Sequence, residues 1–278
     1  MIKLPIAPTV NYPKVNRCVY CGRSDGKLTK EHIVPRGLHG NLVLPAASCE
    51  QCAKVTSELE RRVLKGFMER GRRAMGISSR HKGRTASPST TIELIGNDGE
   101  KRAFEASFDA SPQVMHLPVF SLPLRLGGLS EVGNPSELEI SAIDTLHLGD
   151  PRTLLLEQKA IGVQFDDRMD LWAFARMLGK IAHCYHVAEK GWFPLHQSPI
   201  LPVVLGVSDQ AKEWIGCIEY APLVKVESKA LHLMDITELN GGDGSVCSVV
   251  RMKFFSPTSG PTYAAITRIR EGGAIVAY

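Results

Sequence analysis

The chain reads as an α+β protein in two parts: a short cysteine-pinned segment near the N-terminus and a larger mixed α+β domain after it. Two observations predict this. The pairs Cys18-x-x-Cys21 and Cys49-x-x-Cys52 bracket a turn-rich stretch too short for a core of its own. Downstream, one long run of helical periodicity stands among strand-like runs separated by Gly-, Pro- and Asn-containing turns. A length of 278 residues leaves room for one large domain or two small ones.

In chain order, residues 1–16 are punctuated by Pro and Asn and read as an extended lead-in. Residues 17–76 form the first domain. Two thiols two residues apart can face one tetrahedral ion, and two such pairs supply the four soft ligands that zinc prefers, so a single structural zinc is expected to staple the segment. Leu59, Val63, Phe67 and Ala74, with charges between them, predict an amphipathic helix over residues 56–75. Periodicity is lost over residues 77–89, which are rich in Ser, Gly, Arg and Lys, and the domain boundary is placed there.

The second domain spans residues 90–278. Strands over 91–95 and 102–107 flank Gly96-Asn97-Asp98-Gly99, a hairpin turn. Residues 114–124 and 139–146 are further strands. Residues 169–190 make the strongest helix, with Leu171, Phe174, Ala175, Leu178, Ile181, Ala182, Tyr185 and Ala188 at helical spacing and Gly191 as its stop. Beyond it, residues 201–207, 214–221, 230–236, 246–255 and 263–269 are strand-like. His183 and His186 lie three apart on the helix, but the apolar periodicity around them favours a core role over metal binding.

Charge is unevenly spread. The net charge is +4, yet residues 17–84 hold 15 Lys and Arg against 6 Asp and Glu. That surplus draws polyanions, and phosphate contacts supply most salt-sensitive nucleic-acid affinity. Candidate phosphate contacts are Arg36, Arg61, Arg62, Arg72, Arg73, Arg80, Lys82 and Arg84. No apolar run approaches the ~18 residues of a membrane span. The start lacks the apolar stretch of a secretory signal, and Cys184, Cys217 and Cys247 show no pairing spacing. A cytoplasmic protein with reduced thiols is expected.

Between the cysteine pairs stands Glu31-His32, which a purely structural zinc knuckle does not need. Phosphodiester hydrolysis needs a base for water, commonly neutral imidazole, and a divalent cation for the developing charge. Neighbouring residues of a regular strand face opposite ways, so Glu31 and His32 need a turn or bulge to meet one ion. With Glu31-His32-Ile33-x-Pro35, Gly40-Asn41-Leu42 and Ser48-Cys49-x-x-Cys52 in this order, residues 17–60 resemble a zinc-stapled HNH endonuclease. That resemblance implies a treble-clef-like ββα-metal fold holding one Mg2+ or Mn2+. His32 would be the general base, Glu31 a ligand of the catalytic ion, and Asn41 the residue that orients the base. The family's third ligand position is Ala53, which ligates nothing. Glu60, on the face of residue 53 at helical spacing, and His39, in the loop, are the candidate replacements.

The expectation is therefore a metal-dependent endonuclease acting on DNA, with RNA as a weaker alternative, of the kind found in phage defence or mobile elements. The C-terminal domain would serve target choice, dimerisation or a protein partner. The other reading is a zinc-containing nucleic-acid-binding protein without catalysis, to which the alanine at position 53 points.

Overall fold

The computed structural model describes residues 7–77, 89–108, 111–128, 138–164, 168–218, 230–241, 244–256 and 260–270. The N-terminal part is a ββα unit. Strand β1 (Val10–Asn11) runs parallel to β3 (Leu42–Cys49), β2 (Leu28–His32) pairs antiparallel on its other side, and α1 (Glu50–Leu64) follows β3 directly. Thus α1 begins earlier than the predicted helix. Cys49 must end the strand and cap the helix for Cys52 to fall in the first turn. The helix then breaks at residues 65–68 before α2 (Glu69–Ala74). Gly66 is a poor helix residue, and the break lets Phe67 meet Phe174 edge-on at 5.6 Å.

The rest is mixed. β4 (Ser89–Gly96) and β5 (Lys101–Ser107) form the expected hairpin, with β8 (Ala160–Gln164) on the other edge of β4. β6 (Val114–Phe120) pairs with β7 (Ile140–His147), and α3 (Arg152–Glu157) packs beneath β8. α4 (Leu171–Lys190) is followed by α5 (Leu201–Leu205), α6 (Ala211–Trp214) and β9 (Ile215–Cys217). A four-stranded antiparallel sheet is completed by β10 (His232–Asn240), β11 (Val246–Phe254) and β12 (Thr262–Arg270), in the order β10-β11-β12-β9. The α+β class is as expected. The strand expected at residues 201–207 is instead a short helix, started by Pro202 and stopped by Gly206 at φ +76°. A short apolar run carries no period that distinguishes the two.

α4 is the axis of the molecule. Asp170 caps it by accepting from the Ala173 amide at 2.9 Å, and Gly191 ends it. Nearly every face is buried: Phe174 stacks edge-on against Tyr263 at 5.4 Å, and Gly179 lets Ile200 and Val204 of α5 approach closely. One continuous core runs from Cys18, Ile33 and Leu59 through α4 to Met252 and Tyr263. This core crosses the boundary expected at residues 77–89, since α4 packs against α1 and covers an N-terminal unit too small to bury much by itself. No helix among the described residues is long and apolar enough to cross a membrane.

Candidate metal centre and the buried ion cluster

The four cysteines converge. Sγ atoms of Cys18, Cys21, Cys49 and Cys52 all lie within 4.8 Å of one another, with Cys21 and Cys49 3.7 Å apart. Four sulfurs on a tetrahedral ion at the usual zinc–sulfur distance are about 3.8 Å apart. The set can hold one metal ion such as zinc. The Cys18 turn is closed by Gly22 at φ +76° and tied to β3 by the Val19 amide, which donates to the Ala47 carbonyl at 2.8 Å. Cys49 and Cys52 sit at the start of α1, where the helix dipole favours thiolate. The contact with Cys52 draws the Cys18 thiol down to about 4 and pushes Cys52 up.

Behind this cluster α4 reaches in. His183, fully buried, donates from Nε2 to the Val19 carbonyl at 2.8 Å, so its Nδ1 accepts from the Ser198 hydroxyl at 3.2 Å. Burial holds its pKa down at about 4 against the pull of that carbonyl, which keeps the ring neutral. His186 spends Nδ1 on Thr267 at 2.6 Å. Both histidines are struts of the core.

The decisive residue is Lys180. Its side chain is 0% exposed, and its Nζ lies 2.7 Å from Glu31 Oε1 and 2.9 Å from Glu60 Oε1. The same ammonium donates to the His32 carbonyl and, at 3.2 Å, to the Ile33 carbonyl. Burial alone would lower the Lys180 pKa, but the two carboxylates outweigh it and hold the group protonated. Glu31 is pushed upward by its own burial, with Lys180 pulling it back. The cluster sets the Lys180 ammonium between the carboxyl groups of Glu31 and Glu60, with four oxygens around one nitrogen.

This arrangement bears on each expected site residue. Glu31 and Glu60 do come together, as the helical spacing from residue 53 suggested, but what lies between them is Lys180. The divalent ion expected beside Glu31 does not fit this donor set as it stands: a second cation there would sit against the ammonium, and Ala53 offers no ligand. His39 does not join them. Among the described residues, the four cysteines are the one group of three or more His, Cys, Asp or Glu whose ligand atoms lie within 4.8 Å of one another. His39 instead takes a left-handed turn at φ +60° after a 3-10 turn over Arg36–Leu38, its pKa lowered by burial and then by Arg72. Asn41 does not orient the base through its amide nitrogen, which donates to the Pro8 carbonyl at 2.9 Å.

His32 departs from the expected base as well. The bulge in the β2–β3 pairing falls between Thr29 and Glu31, with Ala46 at φ +50° on β3. Glu31↔Leu44 and His32↔Val43 then pair in regular register. Glu31 and His32 therefore leave the strand on opposite faces. Both ring nitrogens of His32 are enclosed by protein atoms, so no substrate reaches them in this conformation. Gly40 lets the loop close on the segment just after β2: a Cβ there would fall 1.9 Å from the Val34 carbonyl oxygen.

The basic residues sort just as clearly. Arg72 is buried and donates to the Gly37 carbonyl at 2.5 Å and the Leu64 carbonyl at 2.6 Å, so it braces the loop and cannot meet phosphate. Arg61 is engaged by Glu58 at 2.7 and 2.6 Å, Arg62 pairs with Asp170, and Arg73 lies over the Phe108 ring at 3.8 Å. Arg36 is exposed, as are Lys27, Lys30 and Lys65. Arg80, Lys82 and Arg84 fall outside the described residues. No family model, curated protein or solved structure matches the chain.

Sequence reasoning missed Lys180. A signal was present: one lysine inside the run Met177-Leu178-Gly179-Lys180-Ile181-Ala182, on a helix that is apolar on nearly every face. Such a charge is almost never buried without a partner, and the partners lay some 120 to 150 residues upstream.

Proposed function

We propose that the protein binds nucleic acid through a zinc-stapled ββα unit over residues 17–64, and that the hydrolytic centre of that unit is closed. Zinc is the ion the four cysteines would hold, because soft thiolates in a tetrahedral set select it over magnesium or calcium. The observation that carries the reading is the position of Lys180: the carboxylates that an endonuclease of this kind would lend to a divalent ion are spent on an internal ammonium. Lys30, at the bulge of β2, is exposed, and Arg36 follows in the exposed turn after that strand. Backbone phosphate is the natural ligand for such a face, which grips a polyanion without reading bases.

Fluorescence anisotropy of a labelled 20-base-pair duplex over a series of salt concentrations tests this. Lys30→Ala with Arg36→Ala should shallow the slope of log K against log salt by about 2, near the ~0.9 per phosphate contact of duplex DNA. Absence of duplex or RNA binding by the zinc-loaded protein at low salt defeats the reading. A second reading, the metal-dependent endonuclease, is favoured by the retained order of Glu31-His32, Asn41 and the paired cysteines on a ββα frame. Plasmid cleavage in Mg2+ or Mn2+ that vanishes in His32→Ala would establish it in place of the first.

A further inference from the structure

The oxygen donors around Lys180 form a cation seat. Glu31 comes from β2, Glu60 from the third turn of α1, and two successive carbonyls, His32 and Ile33, from the end of β2. Hard oxygens from carboxylates and backbone carbonyls are the donor set that magnesium, manganese and calcium take. The seat is filled from the far side of the core by a side chain on α4, nearly 150 residues away in sequence. The Glu60 side chain is 22% exposed, whereas that of Lys180 is fully buried, so the seat opens to solvent only on the side of α1.

We infer that Lys180 is the resident cation of this seat, and that emptying it creates a divalent-ion site made by Glu31, Glu60 and the carbonyls of residues 32 and 33. The lysine thus does structurally what a bound metal does elsewhere: it gathers the end of β2 and the middle of α1 onto one charge. Because the ammonium is covalently part of α4, these ion pairs also hold β2 and α1 to that helix, and the ββα unit cannot lose its cation to a chelator or to dilution. This goes beyond nucleic-acid binding and does not depend on it, because the readout is manganese and no nucleic acid enters the experiment.

The test uses the zinc-loaded protein and free Mn2+, followed by electron paramagnetic resonance and calorimetry. Wild type should bind no Mn2+ through Glu60. Lys180→Ser, which removes the charge and leaves room, should bind one Mn2+ per chain at least tenfold tighter than wild type does. Lys180→Ser combined with Glu60→Gln should lose that ion. A folded Lys180→Ser protein that retains zinc yet binds no Mn2+ overturns the inference. Wild type decides the matter without any lysine variant. If it binds one Mn2+ that Glu60→Gln abolishes, the seat is open beside the ammonium and Lys180 is not its occupant. Absence of that ion in wild type supports the inference even where Lys180→Ser fails to fold.

Discussion

Lys180→Met is the perturbation with the largest calculable effect on stability. At 2.7 Å from Glu31, an ion pair in a medium of effective dielectric ~20 is attractive by about 6 kcal/mol, and Glu60 at 2.9 Å adds a similar amount. Most of that gain offsets the cost of taking the three charges out of water. The net worth of the cluster is therefore small, while the cost of removing one member is large. Methionine keeps the length of the side chain and deletes the charge, which leaves the Glu31 carboxylate, 9% exposed, without a cation. Loss of about 3–5 kcal/mol is expected at pH 7.5, read as a lower urea midpoint at constant slope. Adding Glu31→Gln should return about 2 kcal/mol or more, because the orphaned charge is then gone. The two substitutions are therefore non-additive. The sign with pH also follows. In Lys180→Met the folded Glu31 holds its proton more tightly than the unfolded chain does, so the gap to wild type should narrow as pH falls from 8 to 5.5. A Lys180→Met cost below ~1 kcal/mol, or strict additivity with Glu31→Gln, would refute the claim that this ammonium holds the cluster together.

Two further outcomes follow from the same geometry. Metal analysis should find one zinc per chain, and Cys49→Ser should abolish it. Because the core around Cys18 and Cys49 continues into α4, that loss should lower the melting temperature of the whole protein in one transition; an unchanged transition for residues 90–278 would contradict it. Acid should destabilise the fold through its neutral histidines. His183 and His232 are held down at about 4 and His186 at about 3, each chiefly by burial. The unfolded chain takes up these protons first. Stability present above the ordinary histidine pKa is therefore lost as pH falls from ~6.5 toward 4, by up to about 1.4 kcal/mol per pH unit for each ring. Urea midpoints across that range test the slope, with zinc release followed in parallel. His232→Gln, which can still donate to the Leu38 carbonyl that His232 meets at 2.6 Å, should flatten it. An equal slope in that variant would remove His232 from the account.

What was legible in the sequence was whatever short-range pattern controls. The doubled C-x-x-C places four sulfurs together because each pair is local and the short chain between the pairs must fold back. The β4–β5 hairpin follows from its Gly-Asn-Asp-Gly turn, and α4 from a period sustained over 20 residues. Strand β3 and the break after Leu64 were less visible, since the first carries a bulge at Ala46 and the second interrupts an amphipathic run without a proline. The centre of the site lay beyond this reach for a physical reason. Burial of Glu31 is decided by a residue 149 positions away, and no periodicity encodes which charge a helix will insert under which strand. Glu31-His32 reads the same whether the carboxylate meets a metal or an ammonium, because both are cations seated among oxygens. The distinction rests on Lys180, whose ammonium already sits among the oxygens that a divalent ion would take. Position 53 carries only a methyl group, so the oxygens of Glu31 and Glu60 are matched by a charge that the chain supplies from α4, and a sequence motif that names the carboxylate cannot name the cation it will meet.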